Sequence, residues 1–104
     1  MKIGIIGGGH GGLSVLTLLL TIPEAEVLWV SDVKSDAPAL VKAREVGITT
    51  CDDFIPYLQN TDLEMVIEVT GSDKVKELII AHKKERVALI EAAAAKLLIT
   101  IVEN

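Results

Sequence analysis

Six of the eight glycines in this 104-residue chain fall between Gly4 and Gly12. Three of them, Gly7, Gly9 and Gly12, stand in the spacing G-x-G-x-x-G within Gly7-Gly8-Gly9-His10-Gly11-Gly12. Chemistry at such a site is done by the backbone. Gly7 permits a tight turn out of a strand, Gly9 lets the main chain approach an anion without a Cβ in the way, and Gly12 lets the following helix pack closely on the sheet. Phosphates would then meet unpaired N–H groups at the positive end of that helix. The spacing alone is weak evidence, but here it directly follows the apolar run Ile3-Gly4-Ile5-Ile6 and opens the helical run from Leu13.

A carboxylate completes the pattern. Asp32 follows the apolar run Val27-Leu28-Trp29-Val30 and stands twenty residues beyond Gly12. That is the place from which an acid accepts hydrogen bonds from the ribose hydroxyls of a dinucleotide. It would also repel an extra phosphate on that ribose. Lys34 could partly offset the repulsion, and no arginine is close in sequence, so NAD is expected ahead of NADP.

Other reactive side chains are less informative. His10 lies inside the glycine loop, either touching the phosphates or simply exposed. His82 neighbours Lys83 and Lys84 on a solvated helix face. Cys51 has no base placed beside it by sequence. No set of His, Cys and carboxylates has metal-ligand spacing. Glu68, between Ile67 and Val69, is a carboxylate within a central strand, and it needs a partner or must reach the sheet's carboxyl edge.

The elements that must position these residues alternate strand and helix, the signature of βαβ units and a parallel sheet. Strands are predicted at Lys2–Ile6, Glu26–Val30, Ile48–Thr50, Glu64–Val69 and Arg86–Ile90. Helices are predicted from about Gly11 to Ile22, over Ala39–Val46, from Asp52 or Asp53 to about Gln59, from Asp73 to about Lys84, and over Glu91–Val102. Pro23 and Gly47 end the first two, and Ser72 caps the fourth. The fold expected is a Rossmann-type doubly wound α/β domain. It has about five parallel strands in the order 3-2-1-4-5 with helices on both faces, and it occupies residues 1–104.

The combination of Gly7–Gly12, the segment Val30–Pro38 and Val66-Ile67-Glu68-Val69-Thr70-Gly71-Ser72 resembles the coenzyme domain of glucose–fructose oxidoreductase-like dehydrogenases. It is also similar to the corresponding domains of dihydrodipicolinate reductase and aspartate dehydrogenase. The resemblance lies in motif order over nearly the whole chain. It implies that Thr70, Gly71 and Ser72 line a cofactor groove, Ser72 also capping its helix. The family's oxidoreductases often carry Glu-Lys-Pro after strand five, the lysine acting in catalysis. Here the run is Glu91-Ala92-Ala93, alanines standing in the lysine and proline places, so the resemblance implies cofactor binding and no catalytic residue.

Composition narrows the remaining classes. Half of the residues are hydrophobic, yet there is one Trp, one Tyr and one Phe, so the core must be aliphatic, as suits strands covered on both faces. A net charge of −5 with scattered Lys and Arg argues against nucleic acid. The longest apolar stretch, Leu13 to Ile22, is interrupted by Ser14, Thr17 and Thr21 and is too short to span a bilayer. The glycines interrupt any signal-peptide core, and one cysteine suits a reducing compartment. A cytoplasmic location is expected.

The first and last helices carry more apolar residues than one sheet face needs. Leu13, Leu16 and Leu20 form one stripe of the first, with Val15, Leu18, Leu19 and Ile22 on its other side. Leu97, Leu98, Ile99, Ile101 and Val102 crowd the last. Either local packing absorbs the excess, or a homodimer partner or adjacent domain covers it. Three functions follow: a non-catalytic NAD-binding sensor or regulatory module of a larger protein, the coenzyme half of an oxidoreductase whose substrate domain lies elsewhere, or a dimerisation module on a nucleotide-binding fold.

Overall fold

A computed structural model describes residues 1–103. Five strands and five helices alternate along the chain: β1 (Lys2–Ile6), α1 (His10–Leu20), β2 (Glu26–Ser31), α2 (Pro38–Glu45), β3 (Thr49–Cys51), α3 (Phe54–Asn60), β4 (Met65–Glu68), α4 (Asp73–His82), β5 (Ala88–Ile90) and α5 (Ala92–Glu103). All strand pairs are parallel, in the order β3-β2-β1-β4-β5. This is the doubly wound α/β sheet expected from the alternation. Boundaries differ from expectation by one or two residues, the usual uncertainty of a fraying end. One difference has a clear cause. Helix α2 starts at Pro38 rather than Ala39, because proline has no N–H to lose in a first turn and its φ is already helical.

Side-chain alternation along β1 divides the core. Ile3 and Ile5 point to one face, where they meet Val15 and Leu16 of α1, Ala39, Leu40 and Ala43 of α2, and Ala95 of α5. Ile6 joins the other face with Trp29, Leu58 of α3, Ile79 of α4 and Val87. Gly4 lies between them for a reason the sequence does not announce. A Cβ there would come within 2.5 Å of the Trp29 ring. The indole, 1% exposed, occupies that notch and donates from Nε1 to Thr61 Oγ1 at 3.1 Å. The β1–β2 register slips between Ile3 and Gly4, passing over Leu28, and so brings Trp29 opposite the glycine.

The expected division of α1 into two apolar sides needs correction. Val15 is buried in the core beside Leu16, whereas Leu20, expected on the same stripe as Leu16, is exposed. Helices α2 and α5 flank α1, so Val15, Leu13 and Leu19 pack within the domain. Local packing therefore absorbs Val15 and Leu19 of the α1 surplus, while Ile22 stays exposed. That of α5 persists: Leu97, Leu98, Ile101 and Val102 are each at least half exposed.

Candidate functional site

β1 and β4 are neighbours and end together, with Ile6 opposite Glu68. From these ends the chain departs to opposite halves of the sheet, β1 toward β2 and β4 toward β5. Such a switch point leaves a crevice at the carboxyl edge, where ligands of open α/β sheets bind.

The glycine loop fills the β1 side of this crevice. Gly7 turns out of the strand at φ +113°, and its N–H donates to the Ser31 carbonyl at 2.8 Å. Gly8 is gripped at both ends. Its N–H donates to Oδ2 of Asp32 at 2.7 Å, and its carbonyl accepts from the Ala39 amide at 2.8 Å. A Cβ on Gly8 would lie 2.9 Å from the Asp32 Cβ, so this glycine, which the spacing leaves as an arbitrary residue, is demanded by close approach. Gly12 is demanded too, though not by the sheet. Its Cβ would stand 1.9 Å from the Gly7 carbonyl oxygen.

Gly9 is different: a Cβ there meets nothing within 4 Å. The space beside it is open, as close approach of a ligand requires. Gly9 is the N-cap of α1 but has no capping side chain, and the first turn carries no acid. The amides of His10, Gly11 and Gly12 precede the first intrahelical donor, Leu13, which bonds the Gly9 carbonyl, and so have no partner within the helix. By contrast Asp53 caps α3 through the Ile55 amide and Ser72 caps α4 through the Val75 amide. The helix that opens on the crevice has donors to offer an anion, and these features fit a diphosphate.

The β4 side is braced from below. Glu68 is 2% exposed, and its Oε2 accepts from the Thr70 hydroxyl and the Gly71 amide, both at 2.7 Å. This is the partner its place in a central strand requires. Thr70 Oγ1 in turn accepts from the Ser72 amide at 3.0 Å. Thr70 and Gly71 line a cleft of about 460 Å³ with His10, Gly11, Lys96 and Thr100. Ser72 is not among its lining residues; its side chain serves the α4 cap.

Asp32 closes the opposite end. Its Oδ1 accepts from the Lys34 amide at 2.8 Å, and it lines a smaller pocket of about 170 Å³ with Gly7, Asp52, Phe54 and Thr70. Sequence proximity misleads in one respect here. Arg44 of α2 folds back to donate to the Ser35 carbonyl at 2.7 Å and shares a second pocket with Asp32. An arginine thus borders the same pocket as this acid. Cys51 also lines that pocket; burial pushes its thiol pKa up, and Asp52 and Asp53 add to the effect. His82 lies on α4 with Nδ1 2.9 Å from the Leu78 carbonyl oxygen, apart from the crevice. Glu91, after β5, pairs with Lys76 at 2.9 Å.

No protein-family model matches the chain. Among characterised proteins it is similar to acetaldehyde dehydrogenase 2 of Metapseudomonas furukawaii and acetaldehyde dehydrogenase 4 of Paraburkholderia xenovorans. Each is 30% identical over 76 residues, covering 69% of this chain and 25% of the dehydrogenase. The acetaldehyde dehydrogenase of Marinomonas is 32% identical over 72 residues, covering 65% of this chain and 24% of that protein. The chain therefore spans about a quarter of the length of these relatives. Among solved structures, apo scyllo-inositol dehydrogenase from Lactobacillus casei superposes with a TM-score of 0.58 at 24% identity, over 86% of this chain and 27% of that one. At that identity the likeness establishes the fold. No helix among the described residues is long and apolar enough to cross a membrane.

Proposed function

We propose that this chain is an NAD-binding domain whose crevice holds the diphosphate at the start of α1 and the adenosine ribose at Asp32. The observation that carries this is the uncapped, acid-free first turn of α1 facing open space at Gly9. The amides of His10, Gly11 and Gly12 would bind the phosphate oxygens, and the Asp32 carboxylate the ribose hydroxyls. Thr70 and Gly71 would border the nicotinamide half. When bound, NAD supplies a hydride acceptor; the residues of this chain bind and orient it.

The likeness to a quarter of several acetaldehyde dehydrogenases supports reading the domain as the coenzyme-binding part of an NAD-dependent dehydrogenase. The motif-order resemblance to glucose–fructose oxidoreductase-like enzymes, dihydrodipicolinate reductase and aspartate dehydrogenase points the same way. A second reading, a non-catalytic sensor or regulatory module, is favoured by the alanines Ala92 and Ala93 after β5 and by the outward apolar face of α5. Both require the same cofactor.

Thermal melts test that cofactor. Ligand at a hundred times its dissociation constant adds about 2.7 kcal/mol to a fold that binds it only when native. NAD or NADH is expected to raise the melting temperature, with NADP less effective and FAD inert. No shift with any of the four overturns the proposal.

A further inference from the structure

The crevice is electrically uneven. At its adenosine end one pocket is lined by the carboxylates of Asp32 and Asp52, which suits hydroxyls, and Arg44 joins both acids only in the adjacent pocket. Its other end, the cleft of about 460 Å³, is bounded by the start of α1, the Thr70–Gly71 loop and one face of α5. That face presents Lys96, the one Lys or Arg among the residues lining this cleft. None of the ion pairs among the described residues involves its ammonium group.

Direction matters as much as position. Helical side chains lean toward the N-terminus of their helix, covering the turn that precedes them. For Lys96 that turn begins at Ala92, which also lines the cleft and is too small to obstruct. A lysine stem leaning that way would run over Ala92 toward His10 and Gly11, which line the same cleft. The cleft's carboxylate, Glu103, stands two turns further out, where the cleft meets the α1–α5 groove.

Resting on the NAD-binding reading above, we infer that Lys96 is the countercharge of the cofactor diphosphate, closing on it from α5 opposite the amides of α1. Backbone N–H groups supply partial charge only, and a diphosphate brings two full negative charges. An ammonium on a facing element supplies the complement as a charge-assisted bond. Cofactor occupancy is thereby mechanically linked to α5, the helix whose other face is apolar and exposed.

The test compares the wild-type chain with Lys96→Gln and Lys96→Arg, titrated with NAD, with ADP-ribose and with adenosine at low and high salt. Glutamine keeps helix propensity and size, so melting without ligand should not change. Lys96→Gln is expected to weaken NAD and ADP-ribose roughly tenfold at low salt, to flatten the salt dependence, and to leave adenosine unaffected. Lys96→Arg is expected to restore most of the loss. Equal NAD affinity in wild type and Lys96→Gln overturns the role of Lys96 while leaving NAD binding intact. A parallel loss of adenosine does the same, since it marks general damage. Failure of the wild type to bind NAD or ADP-ribose overturns the underlying reading and this inference together.

Discussion

The Gly8 amide and the Asp32 carboxylate are joined at 2.7 Å, so the acid expected to recognise a ribose also holds the glycine loop in shape. Its second oxygen secures the turn after β2 through the Lys34 amide. One side chain therefore ties two loops of the crevice together. Removing it must act on the fold and on the ligand at once.

Asp32→Ala strands the part-buried Gly8 amide and leaves the exposed Lys34 amide to water, and a stability loss of about 1–3 kcal/mol is expected in urea titrations. In calorimetry the same variant should bind NAD more weakly and discriminate less against NADP, because repulsion of the 2′-phosphate disappears while Arg44 and Lys34 remain. Asp32→Asn, which keeps one acceptor oxygen, should recover part of the stability without recovering the discrimination. Wild type preferring NADP would show that Arg44 already outweighs the acid.

The glycines should separate under substitution. Gly9→Val places a side chain in open space, so the unliganded melt should stay within about 1 kcal/mol of wild type, while the NAD-dependent shift disappears. Gly12→Ala drives a methyl group into the Gly7 carbonyl, and backbone cannot yield as a side chain does. A loss of about 3 kcal/mol or more is expected, visible by circular dichroism before any ligand is added.

A homodimer through α5 is the expected state of the chain at micromolar concentration. Leu97, Leu98, Ile101 and Val102 leave an exposed apolar face on α5, and a two-fold pairing of such faces typically takes about 800 Å² from each partner. Sedimentation equilibrium should show a dimer for wild type and a monomer for Leu98→Glu or Ile101→Glu. Leu19 is an unsuitable probe because it packs against the core. A wild-type monomer with α5 helical would exclude this contact.

The Cys51 thiol, raised by burial against an opposing hydrogen bond with Ser31 and further by Asp52 and Asp53, should alkylate more slowly at pH 8 than in the urea-unfolded chain. Its folded pKa lies above the unfolded one, so the stability linked to it is complete below about pH 8.5. It declines as pH rises through the folded value. Cys51→Ser should remove that alkaline component from the pH–stability curve.

Much of this was legible in the sequence because local rules agreed with the global fold. β-Branched runs, Gly47, Ser72 and the spacing from Gly12 to Asp32 each named an element or a turn. What escaped was contact across elements. Nothing adjacent to Gly4 signals that Trp29 needs its space, and Gly8 counts as arbitrary until Asp32 is seen against it. Arg44 and Lys96 lie on helices whose return to the crevice depends on loop paths rather than periodicity. The α1 surplus was misassigned because Val15 faces a layer shared by two flanking helices.

The anchoring of Thr70 and Gly71 to Glu68 has a thermodynamic consequence. A rim secured by a strand carboxylate is already ordered before anything enters the crevice, so a ligand need not immobilise it. The entropy that a floppy rim would lose on association is spent during folding instead. Affinity at this edge then depends mainly on the contacts themselves. Loosening Glu68 would cost binding through lost preorganisation, without deleting a single group that touches the ligand.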